Sequence, residues 1–272
     1  MDVALCTLNN TIYDIATFEA LGEPALSQLR RHLLCPRCLG AGYYRKPARS
    51  GQAACFGARP HADYCDMTGP ESRVCLGDTL ADDDIVNSGE RIEVDFDFGA
   101  QAFIHVAESH PDSSYGRGAR GAGQGGHRTH TRQRRLSTLL KNLMFSEDFR
   151  GSDQLISVDT GIFPVREFFV PFAQARVDEL GRMRGYWGLV SDAACTGDQP
   201  PSLWLNTGGR QDLSVVVGAE LVDDFTQRFP IMELEDLAGA YVLVFGCVRL
   251  SKNDKKYIAV SDISRITVNK VM

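Results

Sequence analysis

The sequence predicts an α+β protein: a small zinc-binding domain followed by a C-terminal OB-like β-barrel. Three observations carry that expectation. Residues 35–65 hold two ligand pairs, Cys35-x-x-Cys38 and His61-x-x-x-Cys65. Residues 184–268 hold five segments rich in β-branched and aromatic residues, with one helical segment between the third and the fourth. Between these regions, residues 110–135 are rich in Gly, Ser and Arg and hold almost nothing apolar.

From the N-terminus, VALCTLNNTIYDI alternates apolar and polar residues around Asn9-Asn10, which predicts a hairpin. Ala20, Leu21, Leu26, Leu29, Leu33 and Leu34 then recur at helical spacing, so a helix is expected to run into Cys35, with Pro24 in its first turn. A two-residue gap lets both thiolates of a turn point at one ion, and residues four apart share a helical face. Cys₃His is one of the tetrahedral donor sets of structural Zn²⁺. Cys35, Cys38, His61 and Cys65 are therefore the candidate ligands, with Cys55 and Cys75 as substitutes. Pro36, Arg37, Gly40 and Gly42 mark a turn around the first pair, whereas Cys6, Cys195 and Cys247 stand alone among apolar residues and read as core.

A short hairpin, a helix, C-P-x-C, a basic strand and a terminal H-x-x-x-C follow one another over residues 1–66. This order resembles the N-terminal zinc-binding module of CoiA-like competence proteins, with Cys35, Pro36, Cys38, His61 and Cys65 at the matching positions. That family continues into a PD-(D/E)xK nuclease domain. This chain departs there, because no E-x-K follows a suitable Asp, and the nuclease activity is not carried over.

GERIEVDFDFGAQAFIHV reads as strand, with Ile92, Val94, Phe96 and Phe98 on one face and Glu93, Asp95 and Asp97 on the other. Asp95, Asp97 and His105 would be the ligands of a metal-dependent nuclease, the alternative enzymatic reading; without a partner motif, a solvated strand edge is the preferred explanation. No nucleophile elbow, P-loop or H-E-x-x-H occurs. Residues 110–135 cannot bury enough surface to offset their ordering entropy and read as a flexible basic linker. LSTLLKNLMFSEDF, 136–149, follows as an amphipathic helix with Ser137 as a possible cap.

The last five strands are read in GYWGLVSDAA, PSLWLNT, LSVVVGA, YVLVFGCVRL and KKYIAVSDISRITV, with a helix broken at Pro230 after the third. This β-β-β-α-β-β order is that of the OB-fold, which often binds oligonucleotides. In YVLVFGCVRL both alternating sets, Val242/Val244/Val248 and Tyr241/Leu243/Phe245, are apolar, so this strand is expected to be covered on both faces.

The expected division is a zinc domain at 1–112, a basic linker and helix at 113–164 and the OB-like domain at 165–272. The net charge of −6 hides basic islands: residues 24–62 carry seven Lys/Arg and no acid, and 113–146 carry seven and none. Such islands attract phosphates or are neutralised by the protein's own acidic stretch. The expected nucleic-acid contacts are Arg37, Arg45, Lys46 and Arg49 around the zinc turn, Arg132, Arg134 and Arg135 in the linker, and Trp187, Trp204, Lys252, Lys255, Lys256 and Tyr257 on the barrel. The function expected is zinc-dependent binding of nucleic acid, above all single-stranded DNA. It would be an accessory role in DNA processing, mobile-element transfer or phage defence, not an enzymatic one. The alternative is an adaptor subunit of a larger protein complex. No apolar run approaches 18 residues and no export signal stands at the N-terminus, so the expected location is the cytoplasm with no membrane partner. Clustered cysteines in that compartment point to metal, not disulfides.

Overall fold

The computed structural model describes residues 1, 3–47, 53–62, 65, 67, 91–96, 132–177, 180–196 and 198–270. The fold is α+β, and its C-terminal part is dominated by sheet.

The N-terminal hairpin forms as read: β1 (Val3–Cys6) pairs antiparallel with β2 (Thr11–Asp14), and Asn10 takes a left-handed φ of 53° in the turn. Asp14 then caps α1 (Ile15–Glu19) by accepting from the Thr17 N–H. The single helix expected to reach Cys35 does not form. Gly22, at φ 77°, interrupts it. α2 (Glu23–Leu29), with Pro24 in its first turn, gives way to a 3₁₀ turn at Arg30–His32. Leu33–Leu34 become a strand, β3, paired with Leu5 and Cys6 of β1, because extended backbone there satisfies the open edge of the hairpin. β4 (Gly42–Arg45) and β5 (Cys55–Ala58) make a second hairpin. Tyr13, Phe18, Tyr44 and Phe56 join the two hairpins in an edge-to-face aromatic cluster, ring centroids 5.1–5.6 Å apart.

A four-stranded sheet follows, in the order β7–β6–β8–β9: β6 (Ile92–Asp95), β7 (Arg132–Arg135), β8 (Leu155–Val158) and β9 (Gly161–Pro164). β6 runs parallel to both β7 and β8. Arg132–Arg135 are thus a strand, not the end of a flexible linker; residues 113–131 lie outside the described residues. β7 leads straight into α3 (Leu136–Phe145), so Ser137 falls inside the first turn and does not cap it. Ser146 caps α4 (Glu147–Arg150) instead, accepting from the Phe149 N–H. α5 (Val165–Phe168) connects onward to β10 (Phe169–Pro171).

The C-terminal sheet contains β10, β11 (Met183–Leu189), β12 (Asp192–Cys195), β13 (Leu203–Asn206), β14 (Ser214–Val217), β15 (Tyr241–Leu250), β16 (Lys256–Val260) and β17 (Ile266–Asn269), with α6 (Val222–Arg228) between β14 and β15. The strand path is β10–β11–β15–β16–β14–β13–β12, with β17 on β15. Among the described residues no ladder joins the two ends of that path, so the closed barrel expected over 165–272 is not found. The cause is local: the segment 183–195 breaks at Val190–Ser191, giving its first half to β15 and its second to β13. The last expected strand also divides, into β16 and β17, at the 3₁₀ turn Ile263–Arg265.

β15 is covered on both faces, as its two apolar sets require. Val242, Val244 and Val248 pack with Tyr186, Leu205, Val215, Phe225, Phe229 and Ile258. Tyr241, Leu243 and Phe245 pack on the other side with Ile92, Leu139, Leu140, Leu143 and Phe168. Each buried Val or Leu contributes about 1.5–3 kcal/mol. Two cores sharing one strand bind the four-stranded sheet and α3 to the C-terminal sheet.

The N-terminal hairpins dock on the same sheet through paired charges. Arg30, 5% exposed, donates from Nη1 and Nη2 to the two carboxylate oxygens of Glu235 at 2.9 and 2.7 Å, and from Nη2 to Tyr44 O at 2.8 Å. Arg31 makes the same fork with Asp192, at 2.8 and 3.0 Å. Asp192 continues into a buried polar row: Asn206 donates to it at 3.1 Å and Ser214 donates to Asn206 at 2.9 Å. At Gly239, φ 81°, the backbone passes so close to the Tyr43 ring that a Cβ would enter it. No helix among the described residues is long and apolar enough to cross a membrane.

Candidate metal centre

The chain leaves β3 at Leu34 and turns at once. Leu39 N–H donates to Cys35 O and Cys35 N–H to Gly40 O, both at 2.9 Å, and Leu39 adopts a left-handed φ of 57°. This turn places Cys35 and Cys38 side by side. Gly40 is required there, since a Cβ would strike Pro60 O. β5 delivers the second pair: His61 follows three residues after its end, and Cys65 N–H closes a turn on Ala62 O at 2.9 Å.

The four predicted ligands come together. Their donor atoms all lie within 4.8 Å of one another. Cys35 Sγ is 3.7 Å from Cys65 Sγ, and Cys38 Sγ is 3.4 Å from His61 Nδ1. A tetrahedron with metal–sulfur bonds of 2.3 Å and a metal–nitrogen bond of 2.0–2.1 Å has S···S edges of about 3.8 Å and S···N edges of about 3.6 Å. Two of the edges are therefore already near the length an ion would impose. Cys35 and Cys65 are buried and Cys38 and His61 half-buried, with Met1, Met67 and Ala58 packed around them. This group can hold a metal ion. Cys55 sits on β5 opposite Arg45 and is not among the four; Cys75 lies outside the described residues.

The thiols differ electrostatically. Burial pushes the Cys38 thiol up, but the backbone N–H groups of Ala62 and Gly40, with His61 and Cys35, outweigh it and bring it down to about 6. Burial holds the Cys65 thiol above its ordinary value, reinforced by Cys35 and Cys38, although the backbone at Met67 acts the other way. Three sulfurs this close cannot all ionise without a counter-charge, and a divalent cation supplies it. Gly40 was read from the sequence as part of the turn, but neither its backbone N–H nor that of Ala62 was read as a donor to Cys38.

The expected nucleic-acid contacts scatter. Arg45 Nη2 donates to Ala238 O at 3.1 Å, and Lys46 pairs with Glu23. Lys255 Nζ donates to the carbonyls of Gly209 and Asp212 at 2.9 and 2.6 Å, and Lys256 Nζ to Ala175 O at 3.0 Å. These four cations serve the fold. Trp187 packs against the second core with its ring stacked on Tyr241, centroids 6.4 Å apart. Trp204 and Tyr257 are brought together, centroids 6.0 Å apart, half-buried on the outer side of the sheet. Lys252 is exposed on the turn before β16, and Arg37 on the metal turn. Arg134 is half-buried and Arg135 exposed on β7. Arg49, Asp97, His105 and the side chains of Arg132 and Asp95 lie outside the described residues.

No family model matches this sequence, and no curated protein does. Among solved structures, the chain aligns with one assigned as an aspartyl-tRNA synthetase from Leishmania major Friedlin, at 13% identity and a TM-score of 0.26. The alignment covers 38% of this chain and 20% of that one.

Proposed function

We propose that this chain is a zinc-stabilised nucleic-acid-binding protein whose C-terminal strands form an OB-like unit that takes single-stranded DNA. The observation that carries the reading is the Trp204–Tyr257 pair. Neither ring belongs to a core cluster, and both lie on the outer side of β13 and β16 beside Val216 and Ala259. Bases stack on partly exposed aromatic rings of this kind with little regard to sequence.

Strand order supports the OB-like reading. β11 and β12 are consecutive, and the bend between them is bonded on both sides: Val190 N–H donates to Ala240 O and Ser191 N–H to Asn206 O, at 2.9 and 2.8 Å. One bent segment thus serves β15 and β13, while β14 and β16 run parallel. OB-folds bind through the face of their second and third strands and the loop before the last. Here those are β13, β14 and the turn carrying Lys252.

Zinc suits the donor set. Soft thiolates with one imidazole select it, and four protein ligands leave no open position for catalysis. The metal is then structural, and clustered free thiols fit a reducing, cytoplasmic setting. The likeness of residues 1–66 to CoiA-like modules motivates a role in DNA processing, mobile-element transfer or phage defence. An adaptor role is the second reading. It is favoured by the engagement of Arg30, Arg31, Arg45, Lys46, Lys255 and Lys256 within the chain, which withdraws several of the expected phosphate contacts.

The test is titration of labelled oligo(dT) at low salt with wild type and Trp204→Ala. Loss of one stacking platform should weaken binding by about 1–3 kcal/mol. Arg249, exposed on β15 opposite Tyr257, and Lys252 should together give a salt slope of about 1.4, at roughly 0.7 per phosphate contact on single strands. Absence of wild-type binding would leave the adaptor reading.

A further inference from the structure

We propose a phosphomonoester-binding pocket at the start of β11, apart from the metal centre and from the Trp204 face. A cavity of about 460 Å³ is lined by Thr160, Phe163, Arg182, Met183, Arg184 and Cys247. Its size lies within the range of small-ligand sites, about 300–1,000 Å³.

The charge of the lining is unusual for this molecule. Two arginines line the cavity, and among the described residues no Asp or Glu does. Several other arginines are matched by carboxylates, among them Arg30 with Glu235, Arg31 with Asp192 and Arg265 with Asp159. Arg182 is exposed and has no partner among the described residues. Arg184 is half-buried and held in place. Its Cζ lies 5.3 Å from the Phe163 ring centroid, and Nη1 donates to the Met183 carbonyl at 3.1 Å. Its Nε is buried with no hydrogen-bond partner.

Arg182 immediately precedes β11 and Arg184 is its second residue, and both line the same cavity. Two convergent positive charges with fork geometry match a dianion, and a phosphate monoester carries about −1.5 to −2 at pH 7. A phosphodiester carries a single charge and satisfies only half of the pair. The Thr160 hydroxyl lines the same cavity and adds a neutral donor. The remaining space, against Met183 and Phe163, takes the apolar part of the ester. The ligand class is a phosphorylated small molecule or the terminal phosphate of a nucleotide. The two sources share this chemistry.

The experiment titrates phenyl phosphate, dTMP and thymidine into the full-length, metal-loaded protein, reading the Arg184 Nε–H resonance and the dissociation constant. Phenyl phosphate and dTMP should bind saturably and shift that resonance, and thymidine should not. Tighter binding of dTMP than of phenyl phosphate would assign the site to nucleotides, and the reverse to other phosphorylated small molecules. Arg184→Lys and Arg182→Ala should each weaken phosphate binding by about tenfold or more. Arg182 is exposed, so its variant tests the pocket even if Arg184 proves necessary for folding. No saturable binding of either phosphate would overturn the proposal, as would equal affinity in Arg182→Ala. Oligo(dT) binding that depends on Trp204, with no saturable binding of phenyl phosphate or dTMP, would remove this inference and leave the proposed function standing.

Discussion

Replacing Glu235 by Ala removes the carboxylate that faces both nitrogens of a buried guanidinium. Arg30 is 5% exposed and keeps only Tyr44 O at 2.8 Å and the Tyr44 ring, 5.7 Å from its Cζ. Stripping one partner from a buried pair costs about 3–5 kcal/mol, mostly because the other charge is left unmatched. The Glu235 side chain is 20% exposed, and water can reach the vacated space. The expected cost is therefore about 2–3 kcal/mol, at or below the lower end of that range. Arg30→Met should cost less than Glu235→Ala, since it leaves only a partly exposed carboxylate. The double variant should be more stable than the sum of the single losses by at least about 1 kcal/mol. Urea unfolding followed by Trp187 and Trp204 fluorescence gives all three values. The pair is also pH-dependent. Burial raises the Glu235 carboxyl, but the hydrogen bonds and charge of Arg30, with help from Lys46, outweigh it and hold the group below its ordinary value. A carboxyl lowered in the folded state contributes fully above the unfolded value of about 4.3, and the contribution fades as pH falls through the folded value. Additive single losses, or the same loss at pH 3 as at pH 7, would refute the reasoning.

Elemental analysis should find one metal ion per chain, and Cys38→Ser should lose it while leaving the C-terminal sheet folded by circular dichroism. In metal-free protein at pH 7, Cys38 should be alkylated before Cys65, because one thiol is lowered to about 6 and the other raised; equal rates by mass spectrometry would contradict the electrostatics of the site. Gly239→Ala should destabilise by about 1–3 kcal/mol, from the positive φ and the intrusion on Tyr43, and an unchanged melting curve would exclude that contact. Trp187→Ala should cost about 3–5 kcal/mol as a packed ring, whereas Trp204→Ala should cost clearly less; the reverse order in urea would exchange the two assignments.

The metal ligands were legible because their information is local. Two pairs at turn spacing, with Pro36 and Gly40 between and beside them, need only the right backbone turns to meet, and two hairpins supply these. The same holds for the first hairpin at Asn10 and for β15, whose two apolar sets required a core on each side. The helix running toward Cys35 was misread because Leu33 and Leu34 fit a helical face equally well; only the unpaired edge of β1 makes them a strand. The fate of the basic residues could not be read at all. Arg30 and Glu235 are 205 positions apart, and Arg31 and Asp192 are 161 apart. Along the chain each is simply a charge in an island or in an acidic stretch. Which cations face phosphate and which face the protein's own carboxylates depends on how the hairpins dock on the sheet, and that docking is set by long-range packing around Tyr43, Gly239 and the buried Asp192–Asn206–Ser214 row. Sequence alone determined the donor set and the alternation of the strands, since both are periodic or local. Tertiary structure alone decided the partners of the charges, since Coulomb interactions act across space and disregard distance along the chain.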